Sequence, residues 1–363
     1  MKLIYSLNEK AHGTGTLTFC WQTGGNHVVT TGSDNSVHIY DRQGELVDEL
    51  SMPGVVTSMA WDKDGDVIAL TNNKSNVITL WDVNTRRTTQ LDSSMGVKDS
   101  LTFAVWSRSS PVLAVGNSKG NILLYNHRTA RKVPVLGKHQ RKITCGAFSD
   151  NDLLALGGED SSITVSNLDG DTVYSFACNA EPANIQFAEM KEAERTNQGE
   201  TTISTIVGKR ILMLINLNDA ENPINLQFQS RYGDINTVKL RELSQLSDVY
   251  AMVEVEDEDK GLDKVALSDD GQLLAIAGNS GSLHVYLTRL PVLGDCWQNK
   301  IAVLTSLTEI TVLNEVEQEA PISFNTEVEP TFIGVGPVHI AVGMNNRAWF
   351  YQLTPQGKCN SHF

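Results

Sequence analysis

Apolar and polar residues alternate along this chain in short runs, and one phrase returns seven times. An apolar run leads into a turn of small polar residues, and a second apolar run ends on an aromatic or polar residue. The phrase reads VVTTGSDNSVHIYD at 28–41, VIALTNNKSNVITLWD at 67–82 and VLAVGNSKGNILLYNH at 112–127. It returns as LLALGGEDSSITVSNL (153–168), STIVGKRILMLINL (204–217), LLAIAGNSGSLHVYLT (273–288) and HIAVGMNNRAWFYQL (339–353). Alternation with period 2 predicts strands with one buried face. Gly, Asn, Asp or Ser between two such runs predicts an antiparallel hairpin.

A further short strand precedes most copies: MAWDKDGD (59–66), FAVWSRSS (103–110), GAFSDND (146–152) and VALSDDGQ (265–272). A more polar fourth strand follows, as in ELVDEL (45–50) and RTTQL (87–91). Four strands repeating every ~40–45 residues predict the blades of a β-propeller. Tyr40, Trp81, Tyr125 and Ser166 stand at one point of four copies, at intervals of 41, 44 and 41 residues. No amphipathic helix separates successive strands, so an α/β fold is excluded. The expected class is all-β: an incomplete seven-blade ring followed by the start of a second propeller.

The residues of the repeat resemble those of the WD-repeat family. Trp81-Asp82 is the one WD dipeptide that closes a copy of the phrase, since Trp61-Asp62 falls in the strand before it, with Tyr40 and Tyr125 in place of Trp in two other copies. Asp34 and Asp160 fall in the turn between second and third blade strands, where the family keeps an Asp, and His139 in GKHQRKIT matches its Gly-His position. The resemblance implies that such an Asp ties its turn to the His and hydroxyl of the same blade. Asp34, Trp81, Asp82, His139 and Asp160 are therefore expected to be framework, not reaction chemistry.

Longer stretches narrow the resemblance. GNILLYNHRTARKVPVLGKHQRKITCGAFS (120–149), LLALGGEDSSITVSNLDGDT (153–172), DDGQLLAIAGNSGSLHVYLTRLPVLGD (269–295) and VGMNNRAWFYQL (342–353) are similar to the N-terminal region of the WD-repeat subunits of intraflagellar transport complex A. That family implies two tandem propellers and a helical-repeat tail. It implies a role in retrograde ciliary transport, cilium assembly and entry of membrane proteins into cilia. The implied partners are the other complex A subunits and ciliary membrane cargo adaptors. The implied location is the cilium, its base and the cytoplasm. The rival reading is a WD-repeat scaffold of another pathway, such as a coat-type vesicle trafficking complex.

The chain departs from this family twice. Ile215 and Arg241, taken as equivalent anchors, are 26 residues apart, whereas a blade needs ~40. A first propeller over 1–258 is thus expected to lack about a blade near residue 235, leaving 259–363 to begin a second. One mixed ring that recruits those later blades is the alternative. In either case Lys2–Leu7 precedes the first repeat and is expected to pair with a strand from the ring's end, removing an open edge. The closing TPQGKCNSHF does not continue the family pattern, so a truncated chain without the helical tail is expected.

Composition excludes several function classes. Among 363 residues, 40% are hydrophobic and 20% charged, a globular balance. A net charge of −14 repels phosphate backbones, which argues against nucleic acid. No apolar run reaches the ~18 residues that span a bilayer, and MKLIYSLNEK lacks a signal peptide's apolar region. The five cysteines show no CxxC spacing, so neither disulfides nor zinc is expected, and the compartment is read as reducing. The eight histidines show no ligand spacing with carboxylates, and no metal or cofactor is expected.

Gly116-Asn-Ser118-Lys-Gly120 fits the string G-x-S-x-G, but it lies between two predicted strands, whereas a nucleophile elbow joins a strand to a helix. An enzyme using the propeller as a frame would need Asp, Glu and His converging near its channel, and no such set is legible. Two charge features remain. Glu254, Glu256, Asp257, Glu258 and Asp259 form an acidic run read as a solvated connector. Arg128, Arg131, Lys132, Lys138, Arg141 and Lys142 form a basic segment free of acids. It reads either as a solvated loop between blades or as a contact for an acidic partner or anionic lipid.

Overall fold

In the computed structural model the predicted alternation becomes sheets. The structure describes residues 1–96, 99–188, 202–227, 236–242, 245–255, 261–314, 320–344, 346–353 and 359–362. Among these, eight four-stranded sheets and one two-stranded sheet hold the strands, and a 3-10 turn at Leu217–Asp219 is the one helical element.

Blade 1 runs through Thr18–Trp21, His27–Thr31, Ser36–Asp41 and Leu46–Ser51. Blade 2 comprises Val56–Trp61, Val67–Asn72, Val77–Asp82 and Arg87–Asp92. Blade 3 holds Leu101–Trp106, Val112–Asn117, Ile122–Asn126 and Arg131–Val135. Ile143–Phe148, Leu154–Gly158, Ser162–Ser166 and Thr172–Ala177 make blade 4. Blade 5 consists of Pro182–Ala188, Thr202–Val207, Ile211–Asn216 and Ile224–Gln227. Thr237–Glu242 and Gln245–Glu254 then pair as two strands only.

Blade 6 is built from Leu262–Leu267, Leu273–Gly278 and Leu283–Leu287, with Lys2–Leu7 beside Leu283–Leu287 as its fourth strand. The first strand of the chain therefore covers the edge of a late blade, which satisfies backbone groups an open edge would expose. By contacts, residues 3–270 and 275–285 form one compact unit. Residues 1–2, 271–274 and 286–363 form the other. The expected boundary stood at 258, whereas 261–270 and 275–285 group with the residues before them. The second unit holds two further four-stranded sheets, spanning Gly294–Asn325 and Phe332–His362. Their core joins Ala302, Ile310 and Val312 to Ile340, Val342 and Tyr351.

One expectation changes. Alternation predicts one buried face, yet Val112–Asn117 is buried at every position, as is Leu273–Gly278. Leu113 and Val115 pack toward blade 2 with Ile78 and Leu80, while Val112 and Ala114 pack toward blade 4 with Leu154 and Leu156. Stacked blades bury both faces of a middle strand, so VLAV reads as a continuous apolar run. The fourth strands face outward, and Leu46–Ser51 and Thr172–Ala177 alternate between half-buried and exposed.

The innermost strands are joined by hydroxyls at a repeated bulge. The register slips between Val56 and Ser58, Leu101 and Phe103, and Ile143 and Cys145. The bulged Thr57 donates to the carbonyl of Leu101 at 2.9 Å, and Thr102 donates to that of Ile143 at 2.7 Å. A bulge re-aims a side chain, here across to the next blade. The first strands of blades 1 to 6 line a shared cavity of about 290 Å³.

Candidate functional site

The turns between second and third strands, with the loops that precede each blade, hold most of the polar side chains singled out above. In blade 4 His139 is buried and its Nδ1 lies 3.1 Å from Asp160 Oδ1 and 3.0 Å from Ser162 Oγ. Its Nε2 lies 3.1 Å from Thr164 Oγ1, and the Gln140 N–H donates to Asp160 at 2.8 Å. Burial would raise the Asp160 carboxyl, but bonds from Gln140, Ser162 and His139 outweigh it and hold the group below the usual range. A Cβ on Gly158 would stand 2.9 Å from both His139 Nδ1 and Asp160 Oδ1, so the ring's seat requires glycine there.

Blade 1 repeats the design with a residue the sequence reading passed over. Asp34 meets His12, whose Nδ1 lies 3.1 Å from Asp34 Oδ1 and whose Nε2 lies 2.7 Å from Thr30 Oγ1. His12 is 1% exposed. Burial pushes its pKa down, against the pull of Asp34. The Asp34 carboxyl is likewise held low: burial opposes this, and bonds from Ser36 and His12 prevail. A signal was available. His12 precedes Asp34 by 22 positions and His139 precedes Asp160 by 21, and both Asp residues follow a Gly-x step. Asp34, His12 and His38 bring ligand atoms within 4.8 Å of one another, a grouping that the spacing along the chain did not suggest.

Blades 2 and 3 use another chemistry at the same turn. Asn72 Oδ1 accepts from the N–H groups of Lys74 and Ser75 at 3.0 Å. Asn117 Oδ1 accepts from Lys119 and Asn121 at 3.0 and 2.9 Å. Lys119 then pairs with the buried Asp99 of the preceding loop, reversing the polarity of the His–Asp link. Ser118 lies in this hairpin turn, where its N–H bonds the Ser100 carbonyl.

Trp81 is 2% exposed and packs with Val29, Ile39, Ile68 and Leu70 between blades 1 and 2. Asp82 caps the next turn by accepting from the Thr85 N–H at 2.8 Å, and that bond holds its carboxyl low. Asp41, Asn126 and Asn167 do the same in blades 1, 3 and 4. The residues that line the cavity include Thr18, Thr57, Thr102, Thr144 and Lys264, with no Asp, Glu or His among them. Burial pushes the thiols of Cys20 and Cys145 up to about 12 and about 11, which keeps them protonated and unreactive.

The basic segment does not form one patch. Arg128 lies in the turn before the strand Arg131–Val135, whereas Lys138, Arg141 and Lys142 lie in the loop after it. Five extended residues separate these ends by about 15 Å. The Lys132 ammonium donates to the Asp92 carbonyl at 2.6 Å. Lys138 donates to Gly170 and Thr172 at 2.8 and 2.7 Å, and burial lowers its pKa. Lys142 stands 3.8 Å from Glu159. Arg128, Arg131 and Arg141 remain exposed. Of the acidic run, Glu254 ends a strand and is exposed, and residues 256–259 lie outside the described residues.

A family model described as the WDR19 first beta-propeller matches residues 17–237, more than half of the chain. The chain belongs to the WD repeat-containing protein 19 family. The model of that family's second beta-propeller matches residues 301–362. WD repeat-containing protein 19 of Mus musculus and of Homo sapiens are each 43% identical over 415 residues, covering 97% of this chain and 31% of the relative. WD repeat-containing protein dyf-2 of Caenorhabditis elegans is 33% identical over 412 residues, covering 96% of this chain and 30% of its own length. The chain thus spans about a third of the curated relatives it matches. An aligned length of 415 exceeds the 363 residues here, so the relatives carry residues in this region that the chain lacks. No described helix is long and apolar enough to cross a membrane.

Proposed function

We propose that this WD-repeat propeller is a non-catalytic scaffold of intraflagellar transport complex A, acting in retrograde ciliary transport, cilium assembly and ciliary entry of membrane proteins. The observation that carries the reading is 43% identity to WD repeat-containing protein 19 across 97% of the chain. In this reading 1–287 forms the first ring, about one blade short, and the sheets after 294 open the second. Asp34, Trp81, Asp82, His139 and Asp160 hold blades and turns in place. The exposed loops at the two ends of the strands then carry the contacts, since a rigid frame lets loop residues vary without disturbing the core. The partners are the other complex A subunits and ciliary cargo adaptors, met at the ciliary base, in the cytoplasm and in the cilium. Cavity walls of hydroxyl, amide and apolar groups with Lys264 support a scaffold over an enzyme, because they pair no carboxylate or imidazole with that lysine.

Affinity capture of the tagged chain from ciliated cells tests this. Recovery of the remaining complex A subunits is expected, together with tag signal at the ciliary base. Recovery of vesicle-coat components without complex A subunits would overturn it.

A further inference from the structure

Blades 1 and 4 share one turn framework, and blade 1 carries an imidazole that the framework does not need. In blade 4 the third strand offers Thr164 to His139 Nε2. Thr164 pairs with Leu156, and the matching pair in blade 1 is His38 with Thr30. A histidine has replaced the threonine. Thr30 takes over the bond to His12 Nε2, and the two imidazoles lie with centroids 4.2 Å apart, tilted by 31°.

The orientation of both rings is set from behind. His12 Nε2 is held by the Thr30 hydroxyl at 2.7 Å, and His38 Nδ1 by the Tyr40 hydroxyl at 3.1 Å. The opposite nitrogens face the Ser36 hydroxyl, which donates to Asp34 Oδ2. His12 Nδ1 lies 3.1 Å from Asp34 Oδ1 and 3.2 Å from Ser36 Oγ, while His38 Nε2 lies 3.1 Å from the same Ser36 oxygen. Glu49 Oε1 stands 3.9 Å from His38 Nε2. Metal-bound histidines are oriented in this way, by a hydrogen-bonding partner on the far nitrogen. The Asp34 side chain is 34% exposed, which leaves an entry from solvent.

We propose that His12 Nδ1, His38 Nε2 and Asp34 form a zinc-binding site in blade 1, with Glu49 or water as fourth ligand. Ligand distances of about 2.0–2.2 Å place tetrahedral ligand atoms about 3.3–3.6 Å apart. The three atoms lie within 4.8 Å of one another, and they reach that spacing once the Ser36 hydroxyl turns out from between them. On binding, the His12 ring proton sits on Nε2 and the Thr30 hydroxyl accepts it. The His38 proton stays on Nδ1, donated to Tyr40. Bound zinc would join the loop before blade 1 to its turn and its third strand.

The test uses the full chain, stripped by chelator and with thiols alkylated, titrated with Zn²⁺ against a chromophoric chelator and with Co²⁺ for its tetrahedral visible bands. One equivalent is expected. His38→Thr copies blade 4, so it should fold with unchanged melting in chelator while losing at least tenfold in zinc affinity and losing the cobalt bands. Tyr40→Phe keeps the ring bulk and removes the orienting hydroxyl, so several-fold weaker binding is expected. A chain that binds neither metal, or binds both equally well as wild type and as His38→Thr, would overturn the proposal.

Discussion

Blades 1 and 4 fasten their central turn to the loop before the blade through a histidine and an aspartate, whereas blades 2 and 3 close the same turn on itself with an asparagine. The backbone problem is the same in all four: a tight hairpin with orphan N–H groups at the end of two buried strands. Asparagine solves it locally, its side-chain oxygen accepting from residues two to four positions on. The His–Asp pair solves it across 21 or 22 positions, so it also positions the loop that leads into the blade. The two solutions hold the same turn, but the His–Asp pair couples two loops through the capping carboxylate itself, whereas blade 3 reaches its preceding loop through a separate Lys119–Asp99 pair. The exposed end of blade 1 gains a second imidazole on top of this.

The largest effect should come from the core common to both kinds of blade. Trp81→Ala is expected to cost about 3–5 kcal/mol in denaturant unfolding through the cavity it leaves. Partner capture should fall only in step with folded protein. Turn chemistry would outrank packing if His139→Ala proved the more damaging.

Next comes the contrast itself. His139→Ala strands Asp160 and Thr164 at a buried site and should cost about 1–3 kcal/mol. Asn117→Ala loses a local cap and should cost about 1 kcal/mol. Equal midpoints for the two variants would remove the energetic distinction between long-range and local turns.

Acid should act on the His–Asp links of blades 1 and 4. The folded state lowers the pKa of His12 from the usual 6.5, so the unfolded chain takes up that proton first and stability falls as pH drops below about 6.5. Asp34 and Asp160 are also lowered from 3.8, so their contribution is present above that value and is lost as pH falls through their folded values. Both effects run the same way. Melting temperature followed from pH 7 to pH 3 should decline, and Asp34→Asn with Asp160→Asn should flatten the lower part of the decline. An unchanged profile in that double variant would assign the acid limb to other carboxylates.

The smallest effect on stability concerns the divided basic segment. Arg128→Ser with Arg131→Ser, and separately Arg141→Ser, should each leave stability within about 0.5 kcal/mol. Association with an acidic partner or anionic vesicle should slow for one variant or the other, since the charges stand at opposite ends of a strand. The slowing should shrink as salt rises, because the Debye length falls from about 10 Å at 0.1 M to about 3 Å at 1 M. On-rates at two salt concentrations that respond identically to both changes would mean that the segment acts as one patch after all.

Much of this was legible in the chain before any coordinate. Recurrent hairpins 41 to 44 residues apart dictate blades, because strand length, turn residues and period are local properties. The turn aspartates could be read for the same reason. His12 could have been read from its spacing to Asp34, but it lacks the Gly-His order that drew attention to His139. Other features depended on residues that sequence does not place side by side. Burial of both faces of Val112–Asn117 arises from two neighbouring blades, so alternation alone underestimates it. The pairing of Lys2–Leu7 beside Leu283–Leu287 was a choice made by an open edge and whichever strand reaches it. Six basic residues close in sequence were parted because one strand runs between them. His38 met His12 across 26 positions because strand register put both on one side of a turn. Local chemistry determined the elements of this protein, and tertiary packing alone decided which edges closed and which side chains came together, because contacts between distant residues exist only once the strands are in register.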